Sequence, residues 1–147
     1  ILKLKDSKNM ILDVCSIKLE GIEHRQITSS QNRHYRAKTA FDILDKWECL
    51  TEQSALILGI KKSVYDDNCK DINKATFSDE QLERVSYILN IHAALRTLFE
   101  NSENLYGFMS MNNHNAFFDG VKPVDIIATG RLDDLNDTFK HIVFLNK

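Results

Sequence analysis

The chain has 147 residues and a formal net charge of −2, enough for one domain or two small ones whose core needs no disulfide or metal. Its cysteines, Cys15, Cys49 and Cys69, form no C-x-x-C pair, so neither a zinc finger nor a disulfide framework is indicated. No apolar run approaches the roughly 18 residues of a membrane span. We therefore expect a protein of the reducing cytoplasm without membrane segment, metal or cofactor.

Glycine and proline are scarce, at five and one residues, whereas β-rich folds need many turns built from them. The sequence therefore predicts an all-α fold. Charge is unevenly distributed: residues 1–38 hold eight basic and four acidic side chains, a balance of +4, and the remainder holds 11 basic and 17 acidic, a balance of −6. The two ends are thus suited to different partners.

The basic N-terminal segment, residues 1–38, leaves its structure open. Its first five residues alternate like a strand, but the next apolar residues are spaced for a short helix; these are Met10, Ile11, Val14, Ile17 and Leu19. Residues 24–38 are polar and basic, which is typical of a mobile linker or solvated arm. The alternative is an arm that places Arg33 and Arg36 against DNA phosphates.

Residues 39–77 form a second predicted region, which is helical. Phe41, Leu44 and Trp47 recur at helical spacing, so we place Trp47 in the core rather than in a ligand site. The hydroxyl of Thr51 is expected to cap the next helix.

Within this region, residues 51–65 have the spacing of a helix-turn-helix. Ala55 suits a close helix crossing, and Gly59 permits the bend of the turn. The second helix would offer DNA the side chains of Lys61, Lys62, Ser63 and Tyr65. Acidic residues on or beside it would repel phosphates; these are Asp66, Asp67 and Asp71. A DNA-binding element and a purely structural helix pair therefore both stay open.

The third predicted region, residues 78–147, begins with a long helix. Ser78 and Gln81 form a capping-box pattern, in which each side chain bonds the backbone N–H of the other. A helix over residues 79–99 would span roughly 30 Å and cross the whole core. Its large side chains recur on one face; these are Leu82, Val85, Ile88, Leu89, His92, Leu95, Arg96 and Phe99.

Three polar residues of this helix have plain structural interpretations. His92 is expected to be a hydrogen-bonded core residue, for which Arg96, one turn on, is a candidate partner. Arg84 is interpreted as part of a solvated edge.

No zinc-protease pattern, activated nucleophile or phosphate loop is present in the sequence, so we expect no enzyme.

The chain after residue 100 alternates short helices and a polar loop. Ser102 is expected to cap a helix that carries Leu105, Phe108 and Met109 on one side. In the loop, residues 111–120, two adjacent aromatic rings must point in different directions, so one is core and the other is exposed or held by a partner; these are Phe117 and Phe118.

The last two predicted helices have clear boundaries. Pro123 at a first helical position and Gly130 beyond the end predict a compact helix over residues 123–129. An amphipathic helix from Leu132 follows, with its inward side chains at Leu135, Phe139, Ile142 and Val143.

This order of features resembles the toxin-binding domain of the Xre/MbcA/ParS family of bacterial antitoxins, over roughly residues 40–145. Members typically show a Trp-Leu pair, an Asn-Pro-Ala loop and a Gly-Arg-Thr-Pro turn. The corresponding segments here are Phe108-Met109, Asn113-His114-Asn115-Ala116 and Gly120-Val121-Lys122-Pro123. The helix-turn-helix spacing upstream is likewise similar to the Xre-type element of the same family.

The resemblance implies a non-enzymatic antitoxin that neutralises a toxin by covering its active site. We further expect a homodimer, and leave open whether it also binds operator DNA as an autorepressor. Toxins of the family degrade NAD, as RES-type toxins do, or transfer ADP-ribose from it. The toxin contacts expected in the loop region are Met109, Asn112, Asn113, His114, Asn115, Phe117, Phe118 and Lys122. The apolar end of the last helix adds Phe144, Leu145 and Lys147, which either enter a partner's cleft or dock on the chain's own core. The alternative is a stand-alone transcriptional regulator whose C-terminal domain only dimerises.

Overall fold

The computed structural model describes residues 29–145, with side chains from residue 32 onward. The predictions for residues 1–28 and for Lys147 lie outside this range. The helices are α1 (Ser29–Lys46), α2 (Thr51–Leu58), α3 (Lys62–Lys70), a 3₁₀ helix (Ile72–Lys74), α4 (Asp79–Leu98), α5 (Ser102–Ser110), α6 (Pro123–Ile127) and α7 (Leu132–Leu145). Between residues 29 and 145 no strand forms beyond a single isolated bridge, which confirms the all-α fold. None of these helices is both long and apolar enough to cross a bilayer.

Helix α1 starts earlier than the sequence suggested. The interpretation of residues 24–38 as a linker or arm is wrong for residues 29–38, which are the first half of α1. Their polar side chains have distant partners: His34 Nε2 lies 2.8 Å from the carbonyl oxygen of Ala75, and Arg36 Nη2 donates to Ser86 Oγ. These partners lie 41 and 50 positions away in the chain, so local composition gave no sign of them. The predicted boundary after residue 38 falls inside α1.

Helices α2 and α3 are joined by a turn of three residues at Gly59, whose φ of +71° is the left-handed conformation that glycine adopts without strain. The predicted cap is wrong by one residue. Leu50 occupies the N-cap position with extended backbone, and its N–H donates to Gln53 Oε1 over 2.9 Å. Thr51 is the first residue of the helix itself.

Helix α4 is the centre of the fold, and its predicted capping box is confirmed. Ser78 Oγ accepts from the N–H of Gln81 at 3.1 Å, and Gln81 Oε1 accepts from the N–H of Ser78 at 2.9 Å. α4 packs chiefly on α1 and on α7. Because neighbours surround its second half, burial extends around the helix rather than along one stripe; the residues are Ile88, Leu89, Asn90, Ile91, His92, Ala93, Ala94 and Leu95.

Two arginines of α4 lie opposite to expectation. Arg96 is exposed, whereas His92 is buried and its ring stacks on Tyr106 at a centroid distance of 5.7 Å. Arg84, expected at a solvated edge, is only 7% exposed. The periodicity of large side chains did not predict which of these two arginines is buried, because an arginine can be buried wherever backbone carbonyls accept its hydrogen bonds.

The C-terminal helices follow the predicted order. The cap of α5 is Asn101 rather than Ser102, because Asn101 Oδ1 accepts from the N–H of Asn104 at 2.8 Å. α6 has Pro123 as its first residue, and Gly130 beyond its end has φ +82°. Inward side chains of α7 are Leu135, Thr138 and Ile142, with Phe139 and Val143 partly buried. One hydrophobic core collects side chains from all seven α-helices.

Candidate partner-binding surface

The loop between α5 and α6 is closed by its own backbone. Asn113 and Val121 form an antiparallel bridge, and the N–H of Gly120 donates to the carbonyl of Asn113 over 2.7 Å. Asn113 Oδ1 also accepts from the N–H of Asn115 at 2.9 Å. Asp119 and Gly120 have φ of +49° and +82°, which turn the chain back on itself. The loop therefore holds a defined shape.

Phe118 fixes this loop to the core. Its side chain is 1% exposed, and its ring meets those of Phe108 and His141 edge-on at 5.9 and 5.4 Å. Phe117 is 37% exposed. The prediction that one of the two rings is core and the other exposed is confirmed, and the structure decides which is which.

Two residues assigned to toxin contact are therefore corrected. Phe118 and Met109 are core residues, at 1% and 0% exposure, and neither offers a surface to a partner. Met109 is buried because it lies on the inner side of α5 together with Leu105.

Phe117 is the first member of an aromatic row that also contains His141 and Phe144 of α7; the two phenylalanines are exposed and His141 is half-buried. The rings of Phe117 and His141 are stacked, with centroids 4.7 Å apart and an interplanar angle of 18°. His141 and Phe144 follow at 6.3 Å. Phe144 is 64% exposed, as expected for a contact residue. His141 was missed by sequence reasoning, although its spacing of three from Phe144 places both on one side of α7.

His141 adds a polar group to the aromatic row. Its Nε2 is buried and has no hydrogen-bond partner within residues 29–145. Because this nitrogen is buried, the row presents to solvent chiefly the rings of Phe117 and Phe144.

The remaining predicted contact residues divide by exposure. Those exposed are Asn112, His114, Asn115 and Lys122, and those half-buried are Asn113 and Leu145. Near them, Met111 and Val121 are exposed apolar side chains that the sequence did not single out. An open cleft of about 190 Å³ lies beside the loop, lined by Phe99, Asn104, Phe108, Met111, Asn112 and Asn113. Met111, Asn112 and Asn113 of the loop line this cleft, and Phe117 of the same loop begins the aromatic row, so the loop connects the two features.

Arg84 ties this C-terminal region to the α2–α3 pair. Its Nη1 donates to the carbonyl oxygens of Gly130 and Ile57, at 2.7 and 3.2 Å, and its Nη2 donates to Glu80 Oε1 at 3.2 Å. A Cβ on Gly59 would lie 3.0 Å from Arg84 Nε, so the glycine leaves room for the guanidinium. Nothing local in the sequence indicates this contact.

The predicted DNA contacts are not all on the surface. Arg33, Lys61, Lys62 and Ser63 are exposed, and Arg36 is half-buried on Ser86. Tyr65 is corrected: it is 8% exposed, stacked on Phe41 at 4.9 Å, and burial raises its pKa to about 12. It is a core residue.

The exposed lysines of α3 lie among acids. Lys62 Nζ pairs with Glu52 Oε1 at 2.9 Å, and hydrogen bonding within this pair raises the pKa of Lys62 and lowers that of Glu52. Asp66 and Asp67, one turn along α3, are exposed. The surface of α3 therefore carries both signs of charge.

The two cysteines within residues 29–145, Cys49 and Cys69, do not resemble reactive nucleophiles. Burial raises the pKa of Cys49 to about 12, with the carboxylates of Asp125 and Asp45 adding to the effect and a hydrogen bond with Ser54 opposing it. Burial also raises the pKa of Cys69. In the described range, no group of three or more His, Cys, Asp or Glu side chains is arranged to hold a metal ion.

No family model and no solved structure matches the chain. Among curated proteins, it is 30% identical over 95 residues to the Uncharacterized protein y4oB of Sinorhizobium fredii (strain NBRC 101917 / NGR234). The alignment covers 65% of this chain and 71% of that protein. The chain therefore belongs to the same protein family as y4oB.

Proposed function

We propose that this chain is a non-enzymatic antitoxin that binds a cognate toxin and covers its active site, the toxin being one that degrades NAD or transfers ADP-ribose from it. The proposal rests on the resemblance to the Xre/MbcA/ParS toxin-binding domain. The observation that supports it is the aromatic row of Phe117, His141 and Phe144, with both phenylalanines exposed, beside the loop that corresponds to the family's Asn-Pro-Ala segment.

The aromatic row suits this role for two reasons. Exposed aromatic rings on a rigid element lose little side-chain entropy on binding, and buried aromatic anchors contribute most of the free energy of many interfaces. Phe117 and Phe144 lie on the two sides of His141 and are 37% and 64% exposed, so each offers part of its ring to a partner. Phe118 holds the loop in place behind them.

The test is NAD consumption by the protein encoded beside this chain, measured with and without the full chain at equal molar ratio. Loss of NAD should stop when this chain is added. A neighbour that consumes no NAD, or consumes it equally fast in the presence of this chain, would contradict the proposal.

The contact surface is tested by the affinity of the pair. Phe117→Ala and Phe144→Ala should each weaken binding roughly tenfold or more, as expected for aromatic anchors. Leu50→Ala is the matched control, because Leu50 is an apolar side chain, 65% exposed, at the start of α2. A surface elsewhere is indicated if Leu50→Ala weakens binding and both phenylalanine variants do not.

A stand-alone or autoregulating DNA-binding protein is the second candidate, favoured by the exposure of Lys61, Lys62 and Ser63 at the start of α3. Asp66 and Asp67 act against it by repelling phosphates. A homodimer would place two α3 helices on successive half-sites. The affinity of the protein for the DNA upstream of its own gene, titrated at 50 and 200 mM salt, and the sedimentation of the free protein distinguish the two candidates. A regulator should be a dimer that binds one DNA site specifically, and Lys61→Ala should lower its affinity for that site.

A further inference from the structure

A second cleft, about 390 Å³ in volume, opens between α1 and the segment formed by α3 and the 3₁₀ helix. Its aromatic side is the stacked pair of Phe41 and Tyr65, whose centroids are 4.9 Å apart and whose side chains are each 8% exposed. The aromatic row and the loop contribute nothing to it. This cleft is independent of the proposed toxin contacts.

Asn68 lines the cleft and carries an unmet hydrogen-bond donor. The residue is 7% exposed, and its Nδ2 has no partner among the residues that the structure describes. Buried amide groups in native proteins nearly always have a partner, because leaving one unpaired is costly. An acceptor oxygen of a bound molecule in the cleft would satisfy this donor.

Two carboxylates lie on the α1 side of the cleft. Asp42 and Asp45 are one turn apart on α1, are exposed, and form no salt bridge with any residue in the range 29–145. Asp71, also in the lining, is already engaged: it accepts from the N–H of Asn73 at 3.2 Å and lies 3.9 Å from Lys74 Nζ. Asp42 and Asp45 are thus the carboxylates available to a ligand.

The remaining lining indicates the kind of cation. Lys38 and Lys70 also line the cleft, so its lining is not strongly acidic. The described residues contain no cluster of three metal-ligating side chains. A cation with an apolar stem fits better than a bare ion, since the stem can lie on the aromatic rings while the charged head meets the carboxylates. The unpaired Nδ2 of Asn68 favours a ligand that also carries an acceptor.

We propose that this cleft binds a basic residue of a peptide: its ammonium or guanidinium group meets Asp42 and Asp45, its alkyl stem packs on Phe41 and Tyr65, and Asn68 Nδ2 donates to a main-chain carbonyl beside it. Basic peptides and free polyamines share the cation, but only the peptide supplies the carbonyl. The Asn68 amide therefore distinguishes these two sources.

The experiment is a titration of the ¹⁵N-labelled full chain with N-acetyl-arginine amide, followed through the side-chain amide resonances of Asn68. Saturable shifts of these resonances are expected. Asp42→Asn with Asp45→Asn should raise Kd about three- to tenfold, the size expected for two exposed ion pairs. Asn68→Ala removes this reporter and is followed through the backbone amide resonances of the cleft residues; it should weaken binding of the arginine amide but leave the binding of spermidine, which has no carbonyl, unchanged.

The matched control is Asp66→Asn with Asp67→Asn, which removes the same charge from exposed positions of α3 outside the cleft lining. Its Kd should equal that of the unmodified chain. The proposal is overturned if both double variants weaken binding equally, if the Asn68 resonances do not move at saturating probe, if spermidine shifts them as strongly as the arginine amide, or if no binding occurs.

Discussion

Arg84 Nη1 donates to the carbonyl oxygen of Gly130 across 2.7 Å, so a side chain of α4 is bonded to the turn that precedes α7. The same nitrogen reaches Ile57 at the end of α2. One buried guanidinium thereby links the α2–α3 pair, the central helix and the C-terminal helices. Relative movement of these three parts would break a charged hydrogen bond in the interior.

Replacing Arg84 should destabilise the fold more than any other charged substitution in α4. Arg84→Met leaves the carbonyls of Ile57 and Gly130 without their donor and should lower the free energy of unfolding by about 2–4 kcal/mol. Arg96→Met is the control on the same helix, where an exposed side chain should change it by less than about 0.5 kcal/mol. Urea denaturation measures both. Equal losses would show that the Arg84 bonds contribute little.

Gly130 supplies the acceptor carbonyl of the same contact, and both its backbone conformation and the space around its Cα disfavour a side chain. Its φ is +82°, and a Cβ would lie 3.2 Å from the carbonyl oxygen of Leu56. Gly130→Ala should therefore cost about 1–2 kcal/mol. Gly107, inside α5, has only Met111 Sδ at 3.5 Å, so Gly107→Ala should stabilise by roughly 0.5–1 kcal/mol. The melting temperature should fall in Gly130→Ala and rise in Gly107→Ala. A shift of both melting temperatures in the same direction would contradict this prediction.

The two neighbouring phenylalanines should separate stability from binding. Phe118→Ala opens a cavity at a residue 1% exposed and should cost about 3–5 kcal/mol. Phe117→Ala removes a ring that is 37% exposed and should cost less than about 1 kcal/mol. Denaturation curves give both values. The reverse ranking would mean that Phe117, and not Phe118, anchors the loop.

Cys49 should make the fold sensitive to high pH. Burial raises its pKa from an ordinary 9.0 to about 12, so above pH 9 the unfolded chain releases a proton that the folded chain retains. The free energy of unfolding should then fall by about 1.4 kcal/mol per pH unit between about pH 9 and 12. Cys49→Ala should flatten this slope, while Tyr65, whose pKa is also raised, titrates in both proteins. Parallel pH profiles of the two proteins would refute the assignment.

Features set by neighbours in the chain were predictable from the sequence. The capping box of Ser78 and Gln81, the start of α6 at Pro123 and the left-handed turn at Gly59 each depend on residues within one or two turns. The same holds for the all-α class, which follows from scarce turn formers and helical spacing. One-residue errors occurred at the caps of α2 and α5, where a neighbouring residue takes the extended cap position.

Only the tertiary structure decided which polar and aromatic side chains are buried. Arg84 is interior because it bonds carbonyls 27 or more positions away in the chain. Tyr65 is covered by Phe41, and Phe118 is covered by Phe108 and His141. The aromatic row likewise exists because α7 returns past the loop. A sequence pattern reports the period of a helix and its local caps, whereas burial depends on which distant surfaces pack against it, and those contacts leave no periodic signal.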